Sequence, residues 1–145
     1  MVKVLIVENH PLMRDALAWT IGEEADFQVI GEAADGQEAL EKCIQLQPDL
    51  VLLNLYMPVM DGVEVIKRIH AAGCSPRLMI LTSTAEKDKI ISAMHMGTDG
   101  VMLKNTPRPQ ILEGIRAVVQ GKRYIHPEIA FILDDYLQDE NGKSK

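Results

Sequence analysis

The chain has 145 residues, 47% of them hydrophobic, which is enough for the core of a single domain. Its 21 acidic residues outnumber 15 basic ones for a net charge of −6, which argues against the basic face a duplex-binding surface carries. No apolar run reaches the ~18 residues needed to span a bilayer, and Cys43 and Cys74 form no spaced motif. The expectation is a soluble cytoplasmic protein with buried or half-buried, reduced thiols and no membrane contact.

Short apolar runs alternate with helical patterns along the whole chain, as in βαβ units with a parallel sheet. The opening run Val2–Val7 turns polar at Glu8, so it reads as a strand and not as a signal peptide. Pro11 opens a helix at its favoured first-turn position, with Leu12, Ala16, Leu17, Trp19 in part and Ile21 as its buried stripe and Gly22 near its end. The second run is Phe27–Ala33, followed by an Asp35-Gly36 turn and a helix with Ala39, Leu40, Cys43, Ile44 and Leu46 facing inward. Pro48 stops that helix.

Leu50–Leu53 is apolar throughout, as a central strand covered on both faces should be. It delivers Asn54, and a Pro58 and Asp61-Gly62 turn follows. Val63, Val65 in part, Ile66 and Ile69 mark the third helix, which ends near Gly73. Leu78–Leu81 is the fourth strand and reaches Thr82-Ser83-Thr84. Ile90, Ile91, Ala93 and Met94 mark the fourth helix, which stops at Gly97. Val101–Leu103 is a short fifth strand ending at Lys104. Thr106-Pro107 is expected to cap a fifth helix, with Ile111, Leu112, Ile115, Val118 and Val119 inward and Gly121 after it. His126-Pro127 starts a further helical pattern to about Leu137, and the last eight residues are a polar tail expected to fray.

Five βα repeats with short loops specify an α/β fold with a doubly wound, five-stranded parallel sheet in the order 2-1-3-4-5. That order brings the ends of strands 1 and 3 to the switch point, where Glu8, Asn9 and Asn54 converge and Thr82 and Lys104 arrive from neighbouring strands. Asn54 is the telling residue. A carboxylate at a strand end there can bind a divalent cation or attack phosphorus, whereas an amide does the first poorly and the second essentially not at all.

From Met1 to about Gly121 the chain resembles the receiver domain of two-component response regulators, which has a flavodoxin-like fold. The resemblance rests on five ordered landmarks: the Glu8-Asn9 turn, Asn54 followed by Met57-Pro58, Asp61-Gly62, Thr82 and Lys104. The phrases Val7-Glu-Asn-His-Pro-Leu-Met-Arg14 and Gly121-Lys-Arg-Tyr-Ile-His-Pro-Glu-Ile-Ala130 are further similar to the NarL/FixJ (LuxR-type) branch. There a linker helix joins the receiver to a DNA-binding helix-turn-helix. The implied layout is a receiver over 1–121 and a linker helix with a polar tail over 122–145, with no DNA-reading domain in this chain and no direct nucleic-acid contact.

In that family, acidic residues after strand 1 and a strand-3 Asp hold Mg²⁺ with a backbone carbonyl. The Asp takes a phosphoryl group from a sensor kinase, and a hydroxyl and a lysine then bind its oxygens. The chemistry is positioning and charge compensation around phosphorus. By position, the resemblance puts Glu8 and Asn9 in the acidic pair, Asn54 at the phosphoacceptor, Tyr56 at the metal-facing carbonyl, and Thr82 and Lys104 at the switch. Three departures follow. Asn54 cannot form an acyl phosphate. Asn9 removes a second carboxylate, so Mg²⁺ is expected to bind weakly or not at all. Val101 stands where the family often carries a rotating aromatic ring.

The expectation is therefore a non-enzymatic signalling module without a catalytic residue. It acts by protein–protein recognition through helix 1, helix 4, strand 5 and helix 5, on a sensor histidine kinase, another signalling protein or a second copy of itself. An alternative is an engineered Asp-to-Asn receiver fragment of an ordinary phospho-activated DNA-binding regulator. His10 reads as a helix-leading polar residue before a metal ligand or phosphodonor, and Asp61 as a turn residue before a replacement acceptor. Met94 and Met96 suit adaptable core packing, with a soft partner-binding face as the other option. No glycine-rich phosphate loop follows strand 1, which argues against a flavodoxin-type cofactor carrier.

Overall fold

The apolar runs fold as strands β1 (Val2–Val7), β2 (Phe27–Ala33), β3 (Leu50–Asn54), β4 (Arg77–Thr82) and β5 (Gly100–Leu103). They alternate with helices α1 (Pro11–Gly22), α2 (Gly36–Leu46), α3 (Gly62–Ala71), α4 (Lys87–His95) and α5 (Arg108–Val119). The computed structural model describes residues 1–83 and 85–134. Thr84, the helical pattern beyond residue 134 and the polar tail lie outside the described residues.

The sheet order is β2-β1-β3-β4-β5-β6, with every pair parallel. The expected order of five strands holds, and a sixth extends it. This strand, β6 (Tyr124–Ile125), pairs Tyr124 with Gly100 and Val101 with Ile125. It was invisible in the hydropathy pattern because two residues carry no periodicity. Backbone bonds hold it: the N–H of Tyr124 donates to the Asp99 carbonyl at 3.1 Å and that of His126 to the Val101 carbonyl at 2.9 Å.

Helix α6 (Pro127–Ile132) follows directly, and His126 caps it by accepting the Glu128 N–H at Nδ1, 3.1 Å away. Its Ile129, together with Leu133 just beyond it, is fully buried against β5, in the same cluster as Val101, Leu103 and Ile90. The described stretch from Tyr124 to Leu133 thus packs on the sheet.

Two apolar clusters flank the sheet. Val51 and Leu53 of β3 enter the one built with α2, α3, α4 and α6, and Leu50 and Leu52 enter the one built with α1 and α5. Alternation of side chains on a doubly covered strand is why β3 reads as a continuous apolar run. The buried face of α1 differs from expectation. Leu17 and Ile21 are buried, with Met13 and Ala18 partly so, while Leu12, Ala16 and Trp19 face solvent. The inward set follows the i, i+4, i+8 line from Met13, and Leu12 and Trp19 lie off it. Ile44 and Leu46 of α2 are likewise exposed, leaving Ala39 and Cys43 as its buried contacts.

The start of α5 also differs. The Thr106 hydroxyl turns back to donate to the Leu103 carbonyl at 2.6 Å, so Pro107 is the capping position and no side chain caps this helix. Asp35 and Asp61 do cap α2 and α3, accepting the N–H of Glu38 at 2.8 Å and of Glu64 at 3.0 Å.

Candidate functional site

Parallel strands all end on one edge of the sheet, so the polar residues just past β1, β3, β4 and β5 collect there. The loop after β3 closes tightly over that edge. The Gly62 N–H donates to the Leu55 carbonyl at 2.8 Å, and a Cβ on Gly62 would sit 2.9 Å from the Leu55 Cα and 3.0 Å from the Asn54 carbonyl oxygen. Only glycine lets the start of α3 approach the end of β3 this closely. Earlier in the same loop Val59 adopts φ 68°, and the Met60 N–H bonds back to the Pro58 carbonyl at 2.7 Å. This three-residue turn holds a fully exposed β-branched residue in left-handed backbone, a strained combination.

Glu8 is fully buried at the end of β1, and so is Asn54 at the end of β3. The Asn54 Nδ2 donates to Glu8 Oε2 at 2.8 Å and to Asn9 Oδ1 at 2.7 Å, while its Oδ1 accepts the Tyr56 N–H at 3.2 Å. Chemistry fixes this orientation of the amide. A carboxylate can only accept and a backbone N–H can only donate, so the NH₂ end must face Glu8 and the oxygen must face Tyr56. Glu8 Oε2 also accepts the His10 N–H at 3.3 Å, and the His10 Nδ1 stands 3.5 Å from it.

Lys104, from the end of β5, brings its Nζ to 3.3 Å from Glu8 Oε1. The contact is a charge pair without hydrogen-bond alignment, since Oε1 is buried and has no hydrogen-bond partner. Glu8, Asn9, Asn54 and Lys104 therefore meet in one polar cluster. Thr82 is buried nearby, and its hydroxyl donates to the Ser83 carbonyl at 3.3 Å. Val101 is buried within β5, under α6. The Tyr56 ring is exposed, with the Lys89 ammonium 4.9 Å from its centre. Lys89 also pairs with Asp61 at 3.4 Å, tying α4 to the loop after β3. A neighbouring cavity of about 310 Å³ is lined by Thr82, Ser83, Lys104, Asn105 and Glu128.

Sequence reasoning missed three of these groups. Arg14 donates from Nη1 to the Glu8 carbonyl at 2.8 Å and pairs with Glu32 at 3.7 Å, bracing the turn that carries Glu8. Its place in the first turns of α1, on the side nearest the strand end, was the available signal. Lys89 and Glu128 approach from α4 and α6, and their spacing gives no hint of it.

Magnesium seeks six oxygens in octahedral array with charged ligands among them. Here the set is one carboxylate and neutral amide oxygens, and the Asn54 NH₂ already donates to both Glu8 and Asn9. The residues present do not fit that ion. Among the described residues, no three His, Cys, Asp or Glu side chains gather as a metal site.

The family model for the response regulator receiver domain matches residues 4–116. The chain is 33% identical over 130 residues to the transcriptional regulatory protein LiaR of Bacillus subtilis (strain 168), covering 90% of this chain and 62% of that protein. It is 30% identical over 139 residues to a nitrate/nitrite response regulator protein homolog of Haemophilus influenzae, covering 96% and 67%. The chain thus spans about two thirds of the length of these relatives. Among solved structures, a LuxR-family two-component response regulator from Aurantimonas sp. SI85-9A1 superimposes with a TM-score of 0.86 at 25% identity, covering 94% of this chain and 97% of that one. With its parallel α/β architecture, its strand-end cluster and this match, the chain belongs to the response regulator receiver domain family of two-component systems.

Proposed function

We propose that this chain is a receiver module that does not accept a phosphoryl group, because Asn54 occupies the acceptor position, and that it signals through protein–protein recognition. The single observation that carries this is the Asn54 NH₂ donating to both Glu8 and Asn9. The amide is committed as a donor, its nitrogen lone pair is delocalised, and among the described residues no second carboxylate joins Glu8 there to bind Mg²⁺. The Lys104 ammonium offsets the charge of the buried Glu8.

In this reading Tyr56, Thr82, Val101 and Lys104 keep the family's positions but not its switching chemistry. The Thr82 hydroxyl is engaged with the Ser83 carbonyl, and Val101 has no ring to rotate. Receiver domains work with histidine kinases and related signalling partners. We assign this one a cytoplasmic setting, a kinase or another signalling protein as partner, self-association as a second mode, and no direct contact with nucleic acid. Transcriptional control through the longer regulators it resembles is part of the same proposal. The recognition faces are α1, α4, β5 and α5, with β5 contacted by α6.

The test is incubation with a small-molecule phosphodonor and Mg²⁺, read by intact mass, with Asn54→Asp in parallel. No mass gain in the parent and a labile phosphoryl adduct in the variant are expected. A stable phosphoryl adduct on the parent chain would refute the proposal.

A further inference from the structure

The two cysteines come from distant parts of the sequence and line one cavity where α2 and α3 end, away from the Asn54 cluster. Cys43 lies in the last turns of α2, and Cys74 follows Gly73, whose φ of 82° ends the run of α3. Gln47 touches both: its N–H donates to the Cys43 carbonyl at 3.1 Å, and its Nε2 donates to the Cys74 Sγ at 3.7 Å. Both thiols are free and line one cavity of about 310 Å³ with Gln47, Gly73 and Ser75. Among the described residues, no charged side chain lines it.

The two sulfurs differ. Cys43 has no exposed surface, whereas Cys74 retains 6%, so a small reagent entering the cavity meets Cys74 first. Burial pushes the Cys43 thiol up to about 12, with the nearby Cys74 charge adding to the shift, so Cys43 stays protonated.

We propose that Cys43 and Cys74 are a redox-convertible dithiol, oxidised by a low-molecular-weight disulfide to an intramolecular bond that ties the end of α2 to the end of α3. The Cys74 thiolate attacks one sulfur of the external disulfide, forming a mixed disulfide and releasing one small thiolate, which takes up a proton. Cys43 then loses its proton to solvent and attacks the Cys74 sulfur, expelling the second small thiol. The external disulfide is reduced to two thiols and the protein loses two hydrogens. Closure is expected to speed up by about tenfold per pH unit while Cys43 remains mostly protonated.

The experiment uses the whole folded chain and oxidised glutathione, followed by alkylation of remaining thiols, intact mass and peptide mapping. The expected product has lost two hydrogens and yields a cross-linked peptide pair containing Cys43 and Cys74. Cys43→Ser is expected to stop at a glutathione adduct on Cys74, and Cys74→Ser to remain unmodified while folded. Should either variant fail to fold by circular dichroism, the cross-linked peptide from the parent decides alone. A parent that accumulates only mixed adducts, dimerises through cysteine, or resists oxidation while its unfolded form reacts would overturn the proposal.

Discussion

Replacing Asn54 by Asp removes the two donated hydrogen bonds and puts a second carboxylate where the amide stands 2.8 Å from Glu8. Both positions are fully buried. At an effective dielectric of about 20, like charges about 4 Å apart repel by about 4 kcal/mol. The Lys104 ammonium at 3.3 Å from Glu8 offsets part of this, and loss of the bonds to Glu8 and Asn9 adds about 1–3 kcal/mol. A net destabilisation of about 3 kcal/mol is expected near neutral pH, lowering the melting temperature by about 6–12 °C for a chain of this size.

The sign with pH follows from linkage. Crowding raises the folded pKa of the new carboxylate pair, so the folded state holds an extra proton and stability falls as pH rises through that value. The penalty is therefore small in mild acid, where a proton bridges the two carboxylates, and full at pH about 8. Magnesium is expected to restore much of the loss in the variant and to leave the parent unchanged. Urea unfolding followed by far-ultraviolet circular dichroism, at both pH values with and without Mg²⁺, is the assay. A variant as stable as the parent at the higher pH without metal would refute the placement of Asn54 against Glu8.

Other outcomes follow from the same geometry. Val59→Gly relieves left-handed strain of about 1–2 kcal/mol at a fully exposed site and costs part of that in unfolded-chain entropy, so the urea midpoint is expected to rise by the equivalent of about 0.5–1 kcal/mol. Leu133→Ala empties a fully buried position beneath the sixth strand and is expected to cost about 2–4 kcal/mol, with faster amide exchange at Tyr124 and His126. Arg116 holds Asp26 through two 3.0 Å bonds and Glu24 through one of 2.7 Å, and the guanidinium keeps the Asp26 carboxyl below its ordinary 3.8. That contribution is complete above pH about 4 and disappears as pH falls through the lowered value. Arg116→Ala is expected to cost about 0.5–1 kcal/mol at neutral pH and to flatten the acid limb of the stability curve, because the pairs are surface-exposed.

The strand runs were legible to within a residue or so because a doubly covered parallel sheet demands unbroken apolar segments, as in Leu50–Leu53. The convergence of Glu8, Asn9, Asn54 and Lys104 was legible for a related reason. Glu8, Asn54 and Lys104 are each the first polar residue at the end of their strand, Asn9 follows Glu8, and topology puts those ends together. Other features lay beyond pattern. Leu12 and Trp19 are strongly apolar, and their weight drew the α1 stripe toward them although the buried line runs through Met13, Leu17 and Ile21. Trp19 instead lies exposed, 5.3 Å from the Arg108 guanidinium. Tyr124–Ile125 pair through backbone bonds, which leave no mark on hydropathy. The facing of the Asn54 amide is set by its acceptors, so it needed the neighbours' positions and not their names.

The most direct measurement is the side-chain amide of Asn54 by ¹⁵N-edited NMR, assigned by comparison with Asn54→Asp. A pocket in which the NH₂ bridges Glu8 and Asn9 predicts two separate, strongly shifted proton signals that exchange slowly with water and do not move when Mg²⁺ is added. Random-coil shifts with fast exchange, or a marked Mg²⁺-induced shift in the parent, would contradict it.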